Sequence, residues 1–341
     1  MADRYHVEFI RTRAEKILVS RGMAAKDAKV FADSMLSADM CGVSTHGIRM
    51  LPSYVQKIEK GEFSFDAPSV IRQLPSFTII DAKNTIGAVS ASYAADIAVE
   101  QAKTNGIHAV FSRNSNTFGP AFYYVEKIAN AGMVGFACCN TPAAMPAFNG
   151  LEVMLGTNPL AFAAPTKSYG SIVIDMATSV VAKSRFGTAK AKGERLEPGW
   201  ALDQNGNPTT DPDGGIRGFV LPMAGFKGYG IALMIDMLSG LLSGAGYLNR
   251  VGKFYSPDGA CMNVGHMIVA FNPGLMYDGD FLAAADEYVE RLKASKAVEG
   301  KQIVIPGEDR KKQKEEAGAS GIELTADVVE KLEKLFEEKL I

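Results

Sequence analysis

Apolar residues recur at helical spacing in residues 7–20 and again in residues 25–40. Both segments end close to a glycine, as helices commonly do. The same reasoning predicts a third helix that begins near His46, with Ser44 or Thr45 as its N-cap. The first part of the chain is therefore expected to be helical.

Short apolar runs follow, bounded by Gly, Pro or polar residues, and these are typical of buried strands. They predict strands over residues 77–81, 107–112, 134–139, 160–164, 172–174 and 266–271, and a short strand and turn over 302–308. Helical spacing predicts helices over residues 90–104, 122–131, 231–242 and 280–295, and a last helix from residue 325. Thr178 or Ser179 is expected to cap a further helix from Val180 to Arg185.

Strand, polar turn and helix thus alternate, which predicts an α/β fold whose polar turns gather along one edge of the sheet. We expect three parts. Residues 1–75 form a helical segment that packs with the C-terminal part, residues 76–300 form the central cofactor- and substrate-binding region, and residues 301–341 form a turn and an amphipathic helix.

Charge and cysteine content narrow the class of protein. The 341 residues carry 36 basic and 38 acidic side chains, so no global positive field attracts nucleic acid. No apolar run approaches the roughly 20 residues of a membrane span, and the first residues lack a signal-peptide core. Four cysteines without CxxC spacing predict free thiols in a reducing cytoplasm. The four histidines are isolated, and none lies near a cysteine at the spacing of zinc ligands, so no metal site is expected.

His46 is the strongest candidate for an acid or base, because imidazole titrates near neutral pH. Gly42 and Gly47 lie on either side of it and leave room for a ligand. A histidine that only bonds the backbone at a helix end is the alternative, and the residues leave both interpretations open. Lys227 precedes an apolar helix, where a cation opposes the helix dipole unless it meets an anion. An exposed lysine is the alternative there.

Familiar nucleotide and hydrolase motifs are absent: the chain has no GxGxxG after a strand, no GxxxxGK[ST], no HExxH and no GxSxG. A dinucleotide would therefore bind without the usual glycine fingerprint. Taken alone, the residues indicate an α/β protein with a composite polar site around His46.

Five motifs in one order give a more specific indication. They are Ser44-Thr-His-Gly with Leu51-Pro-Ser-Tyr, Arg113-Asn-Ser-Asn-x-Phe-Gly, Gly156-Thr-Asn-Pro-Leu-Ala-Phe-Ala-Ala-Pro, Asp175-Met-Ala-Thr-Ser, and Lys227-Gly-Tyr-Gly-Ile-Ala-Leu. Together they resemble the malate/L-lactate dehydrogenase family, a group without a Rossmann fold. That group includes ureidoglycolate dehydrogenase, diketogulonate reductase, sulfolactate dehydrogenase and piperideine-carboxylate reductase.

The resemblance implies a non-Rossmann NAD(P)-binding sheet domain in a homodimer. It also implies hydride transfer between NAD or NADP and a small 2-oxo or 2-hydroxy acid, or a cyclic imino acid. His46 matches the family's proton donor and acceptor. The positions matched to the cofactor are Thr141, Asp175, Met176, Ala177, Phe226, Lys227, Gly307 and Glu308. The positions assigned to the substrate are Asn116, Thr117, Thr157 and Lys227.

Two positions depart from the family pattern. Thr117 stands where the family often has histidine, and Met50 stands where it usually has arginine. Arg49 is displaced by one residue, which on a helix turns the side chain by roughly 100°, so Arg49 cannot simply be assumed to bind a carboxylate in its place. These departures motivate two alternatives: reduction of an imine or of a substrate without the usual carboxylate, and a non-catalytic dinucleotide-binding protein. No basic cluster in the sequence distinguishes NADP from NAD.

Overall fold

The structure is a computed structural model that describes residues 4–256 and 259–340. Its helices are α1 Val7–Ser20, α2 Ala25–Met40, α3 Leu51–Glu59, α4 Gly87–Asn105, α5 Phe122–Asn130, α6 Ser184–Lys192, α7 Pro212–Arg217, α8 Phe226–Ile235, α9 Phe281–Lys293, α10 Glu308–Ser320 and α11 Ala326–Phe336. A π-helical segment, Asp236–Leu241, continues α8.

Strands account for most of the remaining regular structure. They are β1 Arg4–Tyr5, β2 Ser69–Gln73, β3 Phe77–Asp81, β4 Ile107–Ser115, β5 Val134–Cys139, β6 Met145–Pro146, β7 Val153–Leu155, β8 Leu160–Pro165, β9 Ser171–Met176, β10 Ala201–Leu202, β11 Pro208–Thr209, β12 Phe219–Val220, β13 Val264–Phe271 and β14 Ile322–Glu323.

A seven-stranded sheet in the order β2-β3-β4-β13-β5-β8-β9 forms the centre of the molecule. Only the pair β3–β4 is parallel, and every other neighbouring pair is antiparallel. A doubly wound Rossmann sheet is mostly parallel instead. The α/β fold and its non-Rossmann character are therefore confirmed, together with the helical N-terminal segment and the C-terminal helices.

Strand direction brings the polar turns together. Because β4, β5 and β9 point the same way while β13 and β8 run against them, the segments after β4, β5 and β9 and before β8 all lie at one edge. The register supports this arrangement, with Cys139 opposite His266 and Leu160 opposite Met176. The predicted gathering of the polar turns is thus present in the structure.

The two ends of the chain share one hydrophobic core. Ile10, Leu18 and Leu36 of the N-terminal helices pack in the same cluster as Leu332 and Phe336 of α11. Strands β1 and β14 pair antiparallel and add backbone hydrogen bonds between the ends. The predicted packing of the N-terminal segment with the C-terminal part agrees with these contacts, although the predicted boundaries stay predictions.

Three local predictions are wrong. No helix runs from Val180 to Arg185, because the Thr178 hydroxyl donates to the carbonyl of Thr157 (2.9 Å) instead of capping, and α6 begins only at Ser184. Residues 302–308 form no strand, because Gly307 adopts φ 92° and turns the chain into α10.

His46 does not begin a helix. It ends a 3-10 turn, Ser44–His46, and a second such turn, Ile48–Met50, separates it from α3. Helix α3 begins at Leu51, with Pro52 in its first turn, where a missing N–H costs nothing.

Among the described helices, none combines the length and apolar character that crossing a bilayer requires. A cytoplasmic location stays a prediction.

Candidate active site

A cavity of about 210 Å³ opens beside the sheet edge where the polar turns meet. Helix α2, the turn that carries His46, helix α3 and the segments after β4 and β5 contribute to its wall. The lining residues are Phe31, Ser34, Met35, Thr45, His46, Met50, Tyr54, Ala88, Thr117, Phe118, Gly119, Cys139, Asn140, Thr141, Pro142, Phe254, Tyr255, Met262 and Val264.

His46 lies in this wall with one ring nitrogen engaged. Its Nδ1 is 3.0 Å from the Thr45 hydroxyl, and no described residue bonds Nε2. The side chain keeps solvent-accessible surface at the cavity mouth, yet protein atoms surround the ring. Loss of hydration therefore lowers the pKa of His46 below its ordinary value. At neutral pH the ring is uncharged, and Nε2 is free to exchange a proton with a ligand.

Asp39 of α2 fixes the backbone behind His46. Its Oδ2 accepts the Ile48 N–H at 2.6 Å, and any Cβ at Gly47 would lie 1.9 Å from Oδ1. Only glycine allows this approach. Burial raises the pKa of Asp39 to about 7, although the Ile48 hydrogen bond and the charge of Arg49 act in the opposite direction. The carboxylate thus ties the turn to α2.

Thr141 is held in the cavity wall by the segment before β8. Its N–H donates to Asn158 Oδ1 at 3.0 Å, and the Asn158 amide donates to the Ala232 carbonyl at 2.8 Å. A Cβ at Gly156 would lie 2.2 Å from Thr141 Oγ1. The Gly-Thr-Asn motif therefore supports Thr141 from behind.

Aromatic rings form another part of the cavity wall. Tyr54 packs edge-to-face against Phe31 at 4.7 Å and against Phe254 at 4.9 Å, and stacks on Phe63 at 5.8 Å between ring centroids. Complete burial raises the pKa of Tyr54 far above its usual range, so the phenol stays protonated. This part of the wall therefore presents mainly aromatic surface.

The predicted substrate residues separate into two groups. Thr117 lines the cavity with His46. Asn116 is buried, and its amide donates to Asn84 Oδ1 (3.0 Å) and to the Thr85 carbonyl (2.8 Å). Thr157 and Lys227 do not line this cavity either. Their assignment to the substrate stays a prediction.

Asp175 lies at the N-terminus of α5. Its Oδ2 accepts the Phe122 N–H at 2.9 Å, so the carboxylate caps that helix. Burial raises its pKa, and the Phe122 hydrogen bond and the charge of Arg310 oppose that shift. Met176, 39% exposed, and the half-buried Ala177 follow it at the sheet edge.

Gly307 and Glu308 lie beside β9, the strand that carries Asp175. The Val173 N–H of β9 donates to the Pro306 carbonyl at 2.9 Å, and a Cβ at Gly307 would lie 2.7 Å from Val173 N. Glu308 pairs with Lys293 at 2.5 Å, which lowers the pKa of Glu308. The structure therefore brings together the matched positions of β9 and α10.

Phe226 and Lys227 begin α8, away from the lining of the His46 cavity. Phe226 is 64% exposed and its ring lies 5.3 Å from that of Phe148. Lys227 is exposed and forms no ion pair with the described residues.

Sequence reasoning missed Asp39 and the role of Phe31 and Met35. Helical spacing placed Phe31 and Met35 on one face of α2, which indicated burial but not a cavity wall. The close approach of Asp39 to Gly47 joins two elements, and the glycine beside a histidine was its only trace in the sequence.

Comparison with protein families decides which chemistry this geometry belongs to. Residues 5–333 match the model of the family described as malate/L-lactate dehydrogenase. The chain belongs to the malate/L-lactate dehydrogenase family. The resemblance and the predicted enzyme class, a dehydrogenase acting on CH–OH groups, are thereby confirmed, and the non-catalytic alternative loses its support.

Three curated relatives align over almost the whole chain. A malate/(S)-sulfolactate dehydrogenase of Methanothermus fervidus is 34% identical over 95% of this chain and 94% of its own length. A (2R)-3-sulfolactate dehydrogenase (NADP(+)) of Chromohalobacter salexigens is 33% identical over 94% of each chain. A ureidoglycolate dehydrogenase (NAD(+)) of Escherichia coli O157:H7 is 31% identical over 95% and 93%.

Solved structures share the fold. The sulfolactate dehydrogenase of Methanocaldococcus jannaschii superposes with a TM-score of 0.92 at 32% identity, over 99% of this chain and 98% of that one. The mixed sheet with its helical ends is thus the architecture of this family.

Proposed function

We propose that this dehydrogenase interconverts a small 2-oxo acid and the corresponding 2-hydroxy acid, with His46 as proton donor and acceptor and NAD or NADP as cofactor. One observation carries the proposal: His46 lines a cavity with Thr117 and Thr141, with its Nδ1 engaged and its Nε2 free. The relatives named for NAD(+) and for NADP(+) support the cofactor class.

His46 moves one proton in each direction. In reduction, the protonated ring donates its Nε2 proton to the carbonyl oxygen, which becomes the hydroxyl. In oxidation, the neutral ring accepts the hydroxyl proton at Nε2. The Thr45 hydroxyl at Nδ1 fixes the orientation of the ring in both directions.

The nicotinamide cofactor supplies the hydride in reduction and accepts it in oxidation. We assign its binding to Thr141, Asp175, Met176, Ala177, Gly307 and Glu308 along the sheet edge, and to Phe226 and Lys227 on α8. The residues present fit such a group. Arg310 Nη1 is buried without a hydrogen-bond partner among the described residues, beside Asp175, with its guanidinium 4.2 Å from the Phe122 ring. An orphaned cationic donor of this kind suits a polar, anionic ligand.

Thr117 supplies the hydroxyl group that we assign to the substrate. It lies in the same wall as His46, and its hydroxyl can donate to a carboxylate oxygen. Thr141, which we assign to the cofactor, borders the same cavity, and its N–H and hydroxyl donate to Asn158 Oδ1 at 3.0 and 3.4 Å. Its position is therefore fixed before a ligand arrives, and preorganisation of this kind favours orientation of the bound groups.

His46→Gln tests the proposal. We expect kcat to fall by about 10² to 10⁴, the range for loss of a general acid–base group, while NADH or NADPH still binds in fluorescence titration. His6→Gln, an exposed histidine outside the cavity, is the matched control and should leave kcat unchanged. A His46→Gln enzyme that retains full activity contradicts the role of His46. A wild-type enzyme inactive on every 2-oxo acid, with either cofactor, contradicts the function.

We also propose that the enzyme is a homodimer. Helix α8 and its π-helical continuation present an exposed apolar stripe, which we define as Phe226, Leu233, Met234, Met237 and Leu241. Exposed apolar surface of this kind often marks a protein–protein interface, and most oligomers are symmetric dimers. Light scattering should give the dimer mass, and Met237→Asp should give monomers, while Met276→Asp at an exposed methionine outside the stripe should not. A monomeric wild-type chain contradicts this proposal.

A further inference from the structure

The described lining of the His46 cavity contains no carboxylate, ammonium or guanidinium group. None of its described lining residues is Asp, Glu, Lys or Arg. Its wall consists mainly of apolar and aromatic groups, among them Phe31, Met35, Met50, Phe254 and Val264. A ligand that enters this cavity therefore meets apolar surface everywhere except near His46 and a few polar side chains.

Two cationic side chains of neighbouring segments lie outside the described lining. Lys57 forms an ion pair with Glu62 and lies 5.1 Å from the Phe254 ring. Arg113 lies 4.0 Å from Asp81, and its buried Nε has no hydrogen-bond partner among the described residues. Neither side chain lines the cavity, so neither is placed to neutralise an acidic group there.

Arg49 is not among the described residues that line the cavity. It lines a surface groove against α11 together with Asp39, Glu330 and Glu333. Its neighbour Met50 lines the cavity, and also a second groove that it shares with Arg49. The turn of the chain between the two positions thus places a thioether, and not a guanidinium, in the cavity wall.

The other polar side chains of the described lining carry neutral hydroxyl, thiol or amide groups: Ser34, Thr45, Tyr54, Thr117, Cys139, Asn140, Thr141 and Tyr255. The N-terminus of α4 reaches the wall at Ala88 without a capping side chain and can meet one carboxylate. Asn140 is unavailable, because its amide donates to the Gly246 carbonyl (2.7 Å) and its oxygen accepts the Gly265 N–H (2.9 Å). A second acidic group would find no cationic partner among the described lining residues, and loss of hydration would disfavour it.

Resting on the proposed function, we propose that the substrate is a 2-oxo acid, or its 2-hydroxy counterpart, with an uncharged aliphatic or aromatic side chain. Met50 is then a specificity-determining residue that contacts this side chain and leaves a second acidic group without a partner. The cavity of about 210 Å³ exceeds the roughly 150 Å³ that encloses a benzene molecule, so a branched or aromatic group has room. Each methylene buried there should favour binding by roughly three- to fourfold.

A substrate series tests the inference. The wild-type enzyme is assayed with NADH and with NADPH on 2-oxobutanoate, 4-methyl-2-oxopentanoate, phenylpyruvate and oxaloacetate. We expect kcat/KM for the best uncharged substrate to exceed that for oxaloacetate by at least tenfold. A ratio below tenfold, or a preference for oxaloacetate, overturns the inference but leaves the proposed function intact. Inactivity on all four substrates overturns the proposed function itself.

Substitutions of Met50 test its role in substrate specificity. Met50→Arg should raise kcat/KM for oxaloacetate at least tenfold relative to its own activity on 4-methyl-2-oxopentanoate. Met50→Leu keeps an apolar wall and should keep the wild-type preference. Met276→Arg introduces the same charge at an exposed methionine outside the cavity and should change neither value. A folded Met50→Arg enzyme, judged by an unchanged Tm, with wild-type preference overturns the role of Met50.

Discussion

Two histidines border the segment of residues 116–118, one from a turn and one from a strand. His46 faces the cavity that Thr117 and Phe118 also line, and its Nε2 is free. His266 is fully buried in β13, where its Nε2–H donates to the Asn116 carbonyl at 3.1 Å and its ring lies 4.8 Å from that of Phe118. The difference shows that the surroundings of an imidazole, and not its presence, decide whether it can exchange a proton.

Burial acts on both rings in the same direction but to different extents. Loss of hydration lowers the pKa of His266 to about 4, so this ring stays neutral under ordinary conditions. His46 keeps solvent-accessible surface, and its pKa is lowered without a fixed partner on Nε2. His266 therefore positions the loop, and we assign the chemistry to His46.

Replacing His266 should give the largest effect on stability. His266→Leu leaves the buried Asn116 carbonyl without its donor, which typically costs about 1–3 kcal/mol. We expect thermal unfolding to show a Tm lower by a few degrees, while kcat of the folded enzyme stays within about threefold. The reverse pattern, an unchanged Tm with a kcat loss as large as in His46→Gln, would mean that the two histidines have exchanged roles.

Lowering the pH should also reveal the contribution of His266 to the stability of the fold. An unfolded His266 takes up a proton below its ordinary pKa of about 6.5, whereas the folded ring stays neutral until about pH 4. Its contribution to stability is therefore fully present above pH 6.5 and is lost as the pH falls through that window, by at most about 1.4 kcal/mol per pH unit. Urea unfolding between pH 5 and pH 7 measures this slope.

The His266→Leu variant is the control for that slope, since it removes the titrating group. Its free energy of unfolding should depend less on pH between 5 and 7 than that of the wild type. Equal slopes would show that other groups dominate the acid sensitivity.

Replacing Asp39 should give the smallest of these effects, and the effect should appear in catalytic activity. Asp39→Ala removes the acceptor of the Ile48 N–H and loosens the turn that carries His46, so we expect kcat/KM to fall about tenfold, or ~1.4 kcal/mol. Asp39→Asn keeps an oxygen acceptor and should restore kcat/KM to within about threefold. Equal losses in both variants would mean that the charge, and not the hydrogen bond, is what the site requires.

Local patterns predicted most of the elements. The helical spacing of residues 7–20 and 25–40 depends on residues three and four apart, which are neighbours within one helix, so no tertiary information was needed. The strands at 134–139 and 160–164 were also predicted from local information, because the length of each apolar run and its flanking residues identify it. The turns were harder to predict from the sequence. The Thr178 hydroxyl donates to the carbonyl of Thr157, twenty-one residues earlier, and a local pattern does not show such a partner.

The sequence by itself determined the family, the enzyme class and the choice of His46 as candidate acid or base. The order of the five motifs and the glycine next to His46 can be recognised without a structure. Only the tertiary structure decided that Thr117 and Thr141 share a cavity with His46. The structure also decided that the Asn116 amide donates its hydrogen bonds to Asn84 and Thr85. It also decided that Met50 lines that cavity and Arg49 does not. Contacts of this kind join segments far apart in sequence, and their geometry follows from how strands and helices pack.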